Sequence, residues 1–198
     1  MKKYVLIIIL ATLVVLSCRK ESQLKKSVLV YDQELTDLPA YSEWGYNTFG
    51  AYYDRDLFMS DSHIVPVKVL VTNNEMSFNL YGHYVSQDWV KPMTLTFTFP
   101  RFTPLNYTDL IVFNDTTFNL KDTTCKVIFT LDTTNYKPAI ISGELNFKRA
   151  QNLKVDKKQI EVILSGYFDF KAIINGKPIT VSDGRFDLGI SQDNFYVY

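Results

Sequence analysis

The chain reads as an all-β protein, an antiparallel β-sandwich or flattened β-barrel of roughly ten strands. Three observations predict this. Apolar and polar residues alternate at period two through much of the chain, and no stretch of ten or more residues holds an apolar stripe at helical spacing. Tight-turn pairs such as Asn175-Gly176 also punctuate the alternating runs.

The elements follow in order. Ser27 to Tyr46 is mixed, with a strand only at Val28–Tyr31, and Ala51–Met59 reads as a short hairpin around Asp54-Arg55. Val67, Val69 and Val71, then Met76, Phe78 and Leu80, form two alternating runs joined by Asn73-Asn74, a hairpin signature. Met93–Phe99 places threonine on one face and apolar residues on the other. Threonine suits a half-wet pleated surface because its χ1 is already restricted, and Pro100 and Pro104 close the run. Further strands are expected at Val112–Leu120, Lys126–Leu131, Ile140–Phe147, Ile160–Ile174, Pro178–Val181 and Arg185–Ile190. Gly166 marks a bend within the long Ile160–Ile174 run, and Asp183-Gly184 a second tight turn.

The N-terminus carries a different signal. Met1-Lys2-Lys3 is followed by an apolar run from Tyr4 to Leu16 and then Ser17-Cys18. These are the regions of a secretory signal peptide, and the run is too short for a bilayer, which needs about 20 apolar residues. Val15-Leu16-Ser17-Cys18 resembles the bacterial lipobox. That resemblance implies a diacylglyceryl thioether on the Cys18 sulfur, cleavage before Cys18 and acylation of the new amine. Two or three acyl chains, at ~0.8 kcal/mol per buried methylene, give a stable anchor. The organisation is then a signal peptide over 1–17, the lipidated cysteine and a polar, flexible tether over 18–26, and one β domain over 27–198.

Cleavage removes Lys2 and Lys3, so 19 basic residues face 21 acidic ones. This balance carries no footprint for nucleic acid and no basic block for anionic lipid. A hydrophobic fraction of 46% supports a packed core. With Cys18 lipidated, Cys125 has no intramolecular partner, and at the head of Cys125–Phe129 it reads as a small apolar core residue.

Asn47-Thr48-Phe49-Gly50 early, Gly166–Phe170, and Ile179–Asp187 with Gly184-Arg185-Phe186-Asp187 late together resemble a group of uncharacterised lipoproteins of the Bacteroidota. The resemblance implies an all-β fold and an envelope location and supplies no activity. Asp115-Thr116-Thr117, Asp122-Thr123-Thr124 and Asp132-Thr133-Thr134 resemble the O-glycosylation acceptor motif of exported proteins in that phylum, which would make Thr116, Thr123 and Thr133 the modified hydroxyls. The same tripeptides also suit local structure, since Asp and Thr cap turns at strand borders. Calcium binding by Asp115, Asp122 and Asp132 is a weaker reading, because the loops lack dense oxygen ligands.

Other chemistry is sparse. Neither His63 nor His83 has a partner at metal-ligand spacing, and His83 shares the polar face of Asn79 and Tyr81. There is no nucleophile elbow and no glycine-rich loop opening a helix, so no catalytic residue, metal or cofactor is assigned. Glu144 and Glu161 fall on outward strand positions, where solvation is the expectation. Arg185 and Asp187, at i and i+2, are expected to lock the last hairpin by pairing with Asp169 or Lys171, with Phe186, Leu188 and Ile190 facing the core.

Aromatic clusters offer the best binding candidates: Trp44 and Tyr46 with Tyr41 and Phe49, and Trp89 with Tyr81 and Tyr84. The expected function is a non-enzymatic binding or interaction module. It would be lipid-anchored in the outer membrane, on its periplasmic or outer surface, with a protein or polysaccharide partner. A lipocalin-like carrier of a small apolar ligand is the first alternative, distinguished by an aromatic-lined internal cavity. A carboxylate-pair hydrolase is the second. Cys18→Ala should move the protein from the membrane to the soluble fraction on cell fractionation; retention at wild-type levels would refute the anchor.

Overall fold

The computed structural model describes residues 27–61 and 65–198. The expected signal peptide and tether, with Cys18, and His63 lie outside the described residues. Strands β1 (Thr48–Tyr53) and β2 (Asp56–Met59) form a hairpin, and β3 (Val67–Val71), β4 (Glu75–Val85) and β5 (Val90–Pro100) a meander. A 3₁₀ helix at Tyr107–Phe113 follows, then β6 (Thr116–Asn119), β7 (Lys126–Leu131) and β8 (Thr134–Tyr136). The long strands β9 (Ala139–Val155), β10 (Lys158–Ile174) and β11 (Lys177–Ile190) form a second meander before β12 (Phe195–Val197).

These strands make one sheet, ordered β6-β9-β10-β11-β1-β2-β4-β5-β7-β8, which does not close on itself. All pairings are antiparallel except that of β12 with β3. Strands β2 and β3 share one edge of β4, β3 along Met76–Leu80 and β2 along His83–Val85. The result is a flattened, open-seamed sandwich in which the β9-β10-β11-β1 half folds over the β4-β5-β7 half.

Phenylalanine fills the space between the halves. Phe78 on β4 meets Phe147 on β9 and Phe186 on β11, each with ring centroids 5.9 Å apart. Phe97 meets Phe168 at 5.6 Å, and Phe129 meets Phe170 at 5.7 Å. The 3₁₀ helix plugs one end of this core: Phe113 stacks on Phe147 at 4.6 Å with planes 12° apart, and Leu110 is fully buried. Asn106 caps that helix, its side chain accepting from Thr108 while Asp109 accepts from the Asn106 amide.

Several sequence expectations change in detail. Val112 and Phe113 belong to the 3₁₀ helix, so the strand expected from Val112 starts at Thr116. The capping pair Asn106 and Asp109 was the overlooked signal. Val28–Tyr31 is no strand and contributes one isolated bridge, Tyr31 to Pro39. Asp183-Gly184 does not turn the chain. Asp183 takes a left-handed φ of 55° inside β11, where the register with β10 slips between Phe168 and Phe170, so this is a bulge. Gly166 does accompany a register shift, and a Cβ there would lie 1.9 Å from the Asn146 carbonyl oxygen.

The segment from Ser27 to Asn47 is a strap laid across the outer face of β10, β11 and β1. Its centre is Asp187, which is buried and accepts from the Ser42 hydroxyl and from the backbone N–H groups of Trp44 (3.2 Å), Gly45 (2.8 Å) and Tyr46 (3.0 Å). Arg185 reaches the strap as well, donating to Asp32 at 2.7 Å. The Leu35 and Glu34 amides first, and then the Arg185 guanidinium, hold the Asp32 carboxyl below the ordinary carboxylate range. Tyr41 stacks on Tyr167 at 4.5 Å, and Pro39 lies so close to β1 that a Cβ on Gly50 would sit 2.5 Å from its Cδ.

The strap corrects two expectations. Arg185 and Asp187 are structural, but their partners are strap groups and not Asp169 or Lys171. Glu161 is buried, at 4% exposure, because strap residue Gly45 and Gly189 cover its outward position, whereas Glu144 is exposed. Phe186, Leu188 and Ile190 do face the core. Asp187→Ala should leave three strap amides without their acceptor and cost about 3 kcal/mol, measured by chemical denaturation. Amides of Trp44–Tyr46 that exchange as slowly as in the wild type would contradict the clasp.

Candidate functional site

At the end opposite the 3₁₀ helix, four turns surround an unplugged part of the sandwich. Asp54, with φ 56°, turns β1 into β2 and is clamped to β11: its amide donates to Thr180 O at 2.7 Å and its carboxylate accepts from Thr180 N–H at 2.8 Å. Ser86 closes the β4–β5 turn by donating to Trp89 O at 3.0 Å. Asp132, with φ 53°, begins the β7–β8 turn, and Lys91 pairs with it at 3.5 Å. Asn175 and Gly176, at φ 50° and 77°, make the β10–β11 turn the sequence predicts.

Inside this ring of turns lies a cleft of about 250 Å³, lined by Tyr53, Tyr84, Trp89, Phe129 and Tyr136 and by the aliphatic Met93, Leu131 and Ile174. The size is just below the roughly 300–1,000 Å³ of drug-sized ligand sites and suits a single ring. Tyr53 meets Tyr84 at 84° and Phe129 at 89°, while Trp89 meets Tyr84 at 46°. The walls therefore stand at angles to one another and do not form a flat platform. Lys91 Nζ lies 4.6 Å from the centre of the Trp89 ring, a cation–π contact that steadies it.

The polar groups of the cleft are phenols and one indole. Tyr84 donates its hydroxyl to the Asp56 carboxylate. Burial, then the hydrogen bond and charge of Asp56, raise the Tyr84 phenol well above its ordinary range, and burial, then Asp54 and Tyr136, raise Tyr53. The Tyr53 and Tyr84 rings meet at 5.4 Å, and Tyr136 lines the same cleft. Among the described residues, no protein group pairs with the Tyr53 or Tyr136 hydroxyl or the Trp89 indole N–H. Three donors are thus free to reach a ligand.

The candidates from the sequence separate. Trp89 stands at the cleft rim, 38% exposed. Trp44, 74% exposed, and the half-buried Tyr46 belong to the strap beside Asp187, towards the other end of the domain. Tyr84, grouped with Trp89 and Tyr81 from the sequence, lines the cleft and Tyr81 does not; Tyr53 and Tyr136 are the residues that sequence reasoning missed as site members. Strand parity points to Tyr53, which continues the inward positions of Phe49 and Ala51, as it does to Tyr84, which continues those of Phe78 and Leu80.

Thr123 and Thr133 are exposed, whereas Thr116 is half-buried and donates its hydroxyl to Val112 O and Asn114 O at 3.4 Å. Asp115 and Asp132 hold left-handed turn positions, which accounts for those two motifs structurally. His83 is half-exposed, on the side of β4 that carries Asn79 and Tyr81. Cys125 is buried at the head of β7, with burial pushing its thiol up to about 12.

A larger groove of about 570 Å³ follows the open seam between β7 and the start of β9. Lys121, Lys126 and Lys137 share it with Glu75 and Asp122, so its charges largely offset, and no ring faces converge there. The smaller cleft is therefore the better-built site. Among the described residues no group of three or more His, Cys, Asp or Glu could hold a metal ion, and no helix is long and apolar enough to cross a membrane.

The raised phenols set an alkaline limit. Tyr41 and Tyr84 stay protonated in the fold beyond the ordinary value of 10.0, at which they ionise in the unfolded chain. The native state then binds more protons than the unfolded state, so stability is full below pH 10 and falls as pH rises above it. Denaturation midpoints should show this fall, and Tyr84→Phe should reduce it; an unchanged slope in the variant would contradict the Tyr84 environment.

No family model, curated protein or solved structure matches this chain, so the argument for function rests on the geometry of the cleft.

Proposed function

We propose that this chain is an outer-membrane lipoprotein, anchored through Cys18, whose β domain is a non-enzymatic binding module. Its aromatic cleft holds one ring of a polysaccharide. The observation that carries this reading is the combination of angled ring faces with the three free donors on Tyr53, Tyr136 and Trp89. A pyranose presents C–H faces to aromatic rings and hydroxyl oxygens to such donors. An acyl chain would leave those donors unpaired, at a cost of about 1–3 kcal/mol for each one buried.

The interior supports the module over the carrier. Phe78, Phe97, Phe99, Phe147, Phe168 and Phe186 fill the space between the sheet halves, each at most 2% exposed. The cleft is thus an end feature and not the mouth of a long apolar chamber. The acids in the surrounding turns are also engaged structurally, Asp54 with Thr180, Asp56 with Tyr84 and Asp132 with Lys91, which supports holding a ligand over cleaving one.

Saturation-transfer NMR against a panel of methyl pyranosides tests the reading. At least one should receive magnetisation on its C–H face, and Trp89→Ala should abolish the transfer. Tyr53→Phe or Tyr136→Phe should weaken binding about 2- to 10-fold, the worth of one hydrogen bond. Trp89-dependent binding of hexanoate without binding of any pyranoside would favour the carrier instead.

A further inference from the structure

The strap and the cleft together orient the domain on its anchor. Val28 donates to Tyr46 O at 2.8 Å, and Tyr46 in turn donates to Asp187 at 3.0 Å. Asp187 pairs with Ser165 of β10, so the chain enters the domain at the level of Ser165. The cleft is lined by Ile174, at the turn end of the same strand. Nine residues of continuous strand separate the two levels, about 30 Å at ~3.3 Å per residue.

The link to the anchor is equally short. Cys18 to Ser27 is also nine residues, and even drawn out straight it spans only about 30 Å. Turning the cleft towards the bilayer would use that whole length merely to run back along the domain. The strap holds its own start as well: Val28 donates to Tyr46 O, Val30 O accepts from Ala40, Arg185 holds Asp32, and Asp187 holds Ser42 and three backbone amides, so it supplies no further chain. A cleft facing away from the bilayer needs no such reversal.

We infer that the aromatic cleft faces away from the membrane that carries the lipid, and receives its saccharide from a polymer across the aqueous gap. Lipid headgroups of the anchoring leaflet are out of its reach. This rests on the anchor at Cys18 and on the cleft as the binding site. The surface around the four turns is then the contact face, and the strap side the membrane-proximal face.

The chain carries its own ruler. It has two tryptophans, Trp44 beside the strap clasp and Trp89 at the cleft rim. The test uses the full lipidated chain, as Trp44→Phe and Trp89→Phe variants, in phosphatidylethanolamine–phosphatidylglycerol vesicles with dansyl-labelled headgroups. Energy transfer to dansyl should be at least twofold more efficient from Trp44 than from Trp89. Transfer from Trp89 that equals or exceeds that from Trp44 overturns the orientation while leaving the anchor intact. Protein that fails to float with the vesicles overturns the anchor, and the orientation with it. Loss of pyranoside binding by the Cys18→Ala chain in solution would instead count against the cleft as an independent site.

Discussion

One sheet that does not close has to bury one face against itself, and in this domain phenylalanine makes that possible. Strands β9 to β11 are long enough to carry Phe147, Phe168, Phe170 and Phe186 along one wall, opposite Phe78, Phe97, Phe99 and Phe129 on β4, β5 and β7. Rings meeting at 5.4–6.5 Å, mostly edge to face or tilted, add orientation to simple burial. Each full burial is worth about 1.5–3 kcal/mol, so this layer outweighs any surface pair in the molecule. The open seam is tolerated because the hydrophobic layer does not depend on closing the hydrogen-bond ring.

The outer face meets a different constraint. Along β10 and β11 it carries Glu161, Ser165, Arg185 and Asp187, all buried. Buried charges require partners, and the strap supplies them as backbone amides at Asp187 and a carboxylate at Arg185. The strap thus converts a solvent-type face into a third layer. It also fixes the point at which the chain leaves the domain, which links packing chemistry to the orientation of the cleft.

Period-two alternation locates the strands well because it reports burial on one face, and burial decides these elements. Val67–Val71, Met93–Phe99 and Lys126–Leu131 are read directly. Alternation stops being informative where the outer face is covered too. Residues beyond Phe147 extend β9 without a clean pattern, and Glu161 looks solvent-facing until the strap is placed over it. Asp183-Gly184 has turn composition, yet the same left-handed residue serves a bulge, and only the pairing with β10 distinguishes them. Trp89 was visible as an aromatic in a turn. Tyr84, in the same hairpin, was visible beside it, but Tyr53 and Tyr136 were not, because they come from two other hairpins whose convergence on this one is a property of the sheet order.

That order also explains why the cleft lies where it does. Both ends of the sandwich would be open if strands alone formed it. The 3₁₀ helix between β5 and β6 covers one end with Tyr107, Leu110 and Phe113, all buried. The other end has only two-residue to four-residue turns, too short to fold back as a plug. Tyr53, Tyr84 and Tyr136 at that end are consequently half-buried, and a side chain in such a place must satisfy both the core and water. Tyrosine and tryptophan meet this demand through an apolar body and a polar tip, where phenylalanine serves the interior. The change from Phe to Tyr and Trp along the inward face therefore marks where the core ends and the cleft begins.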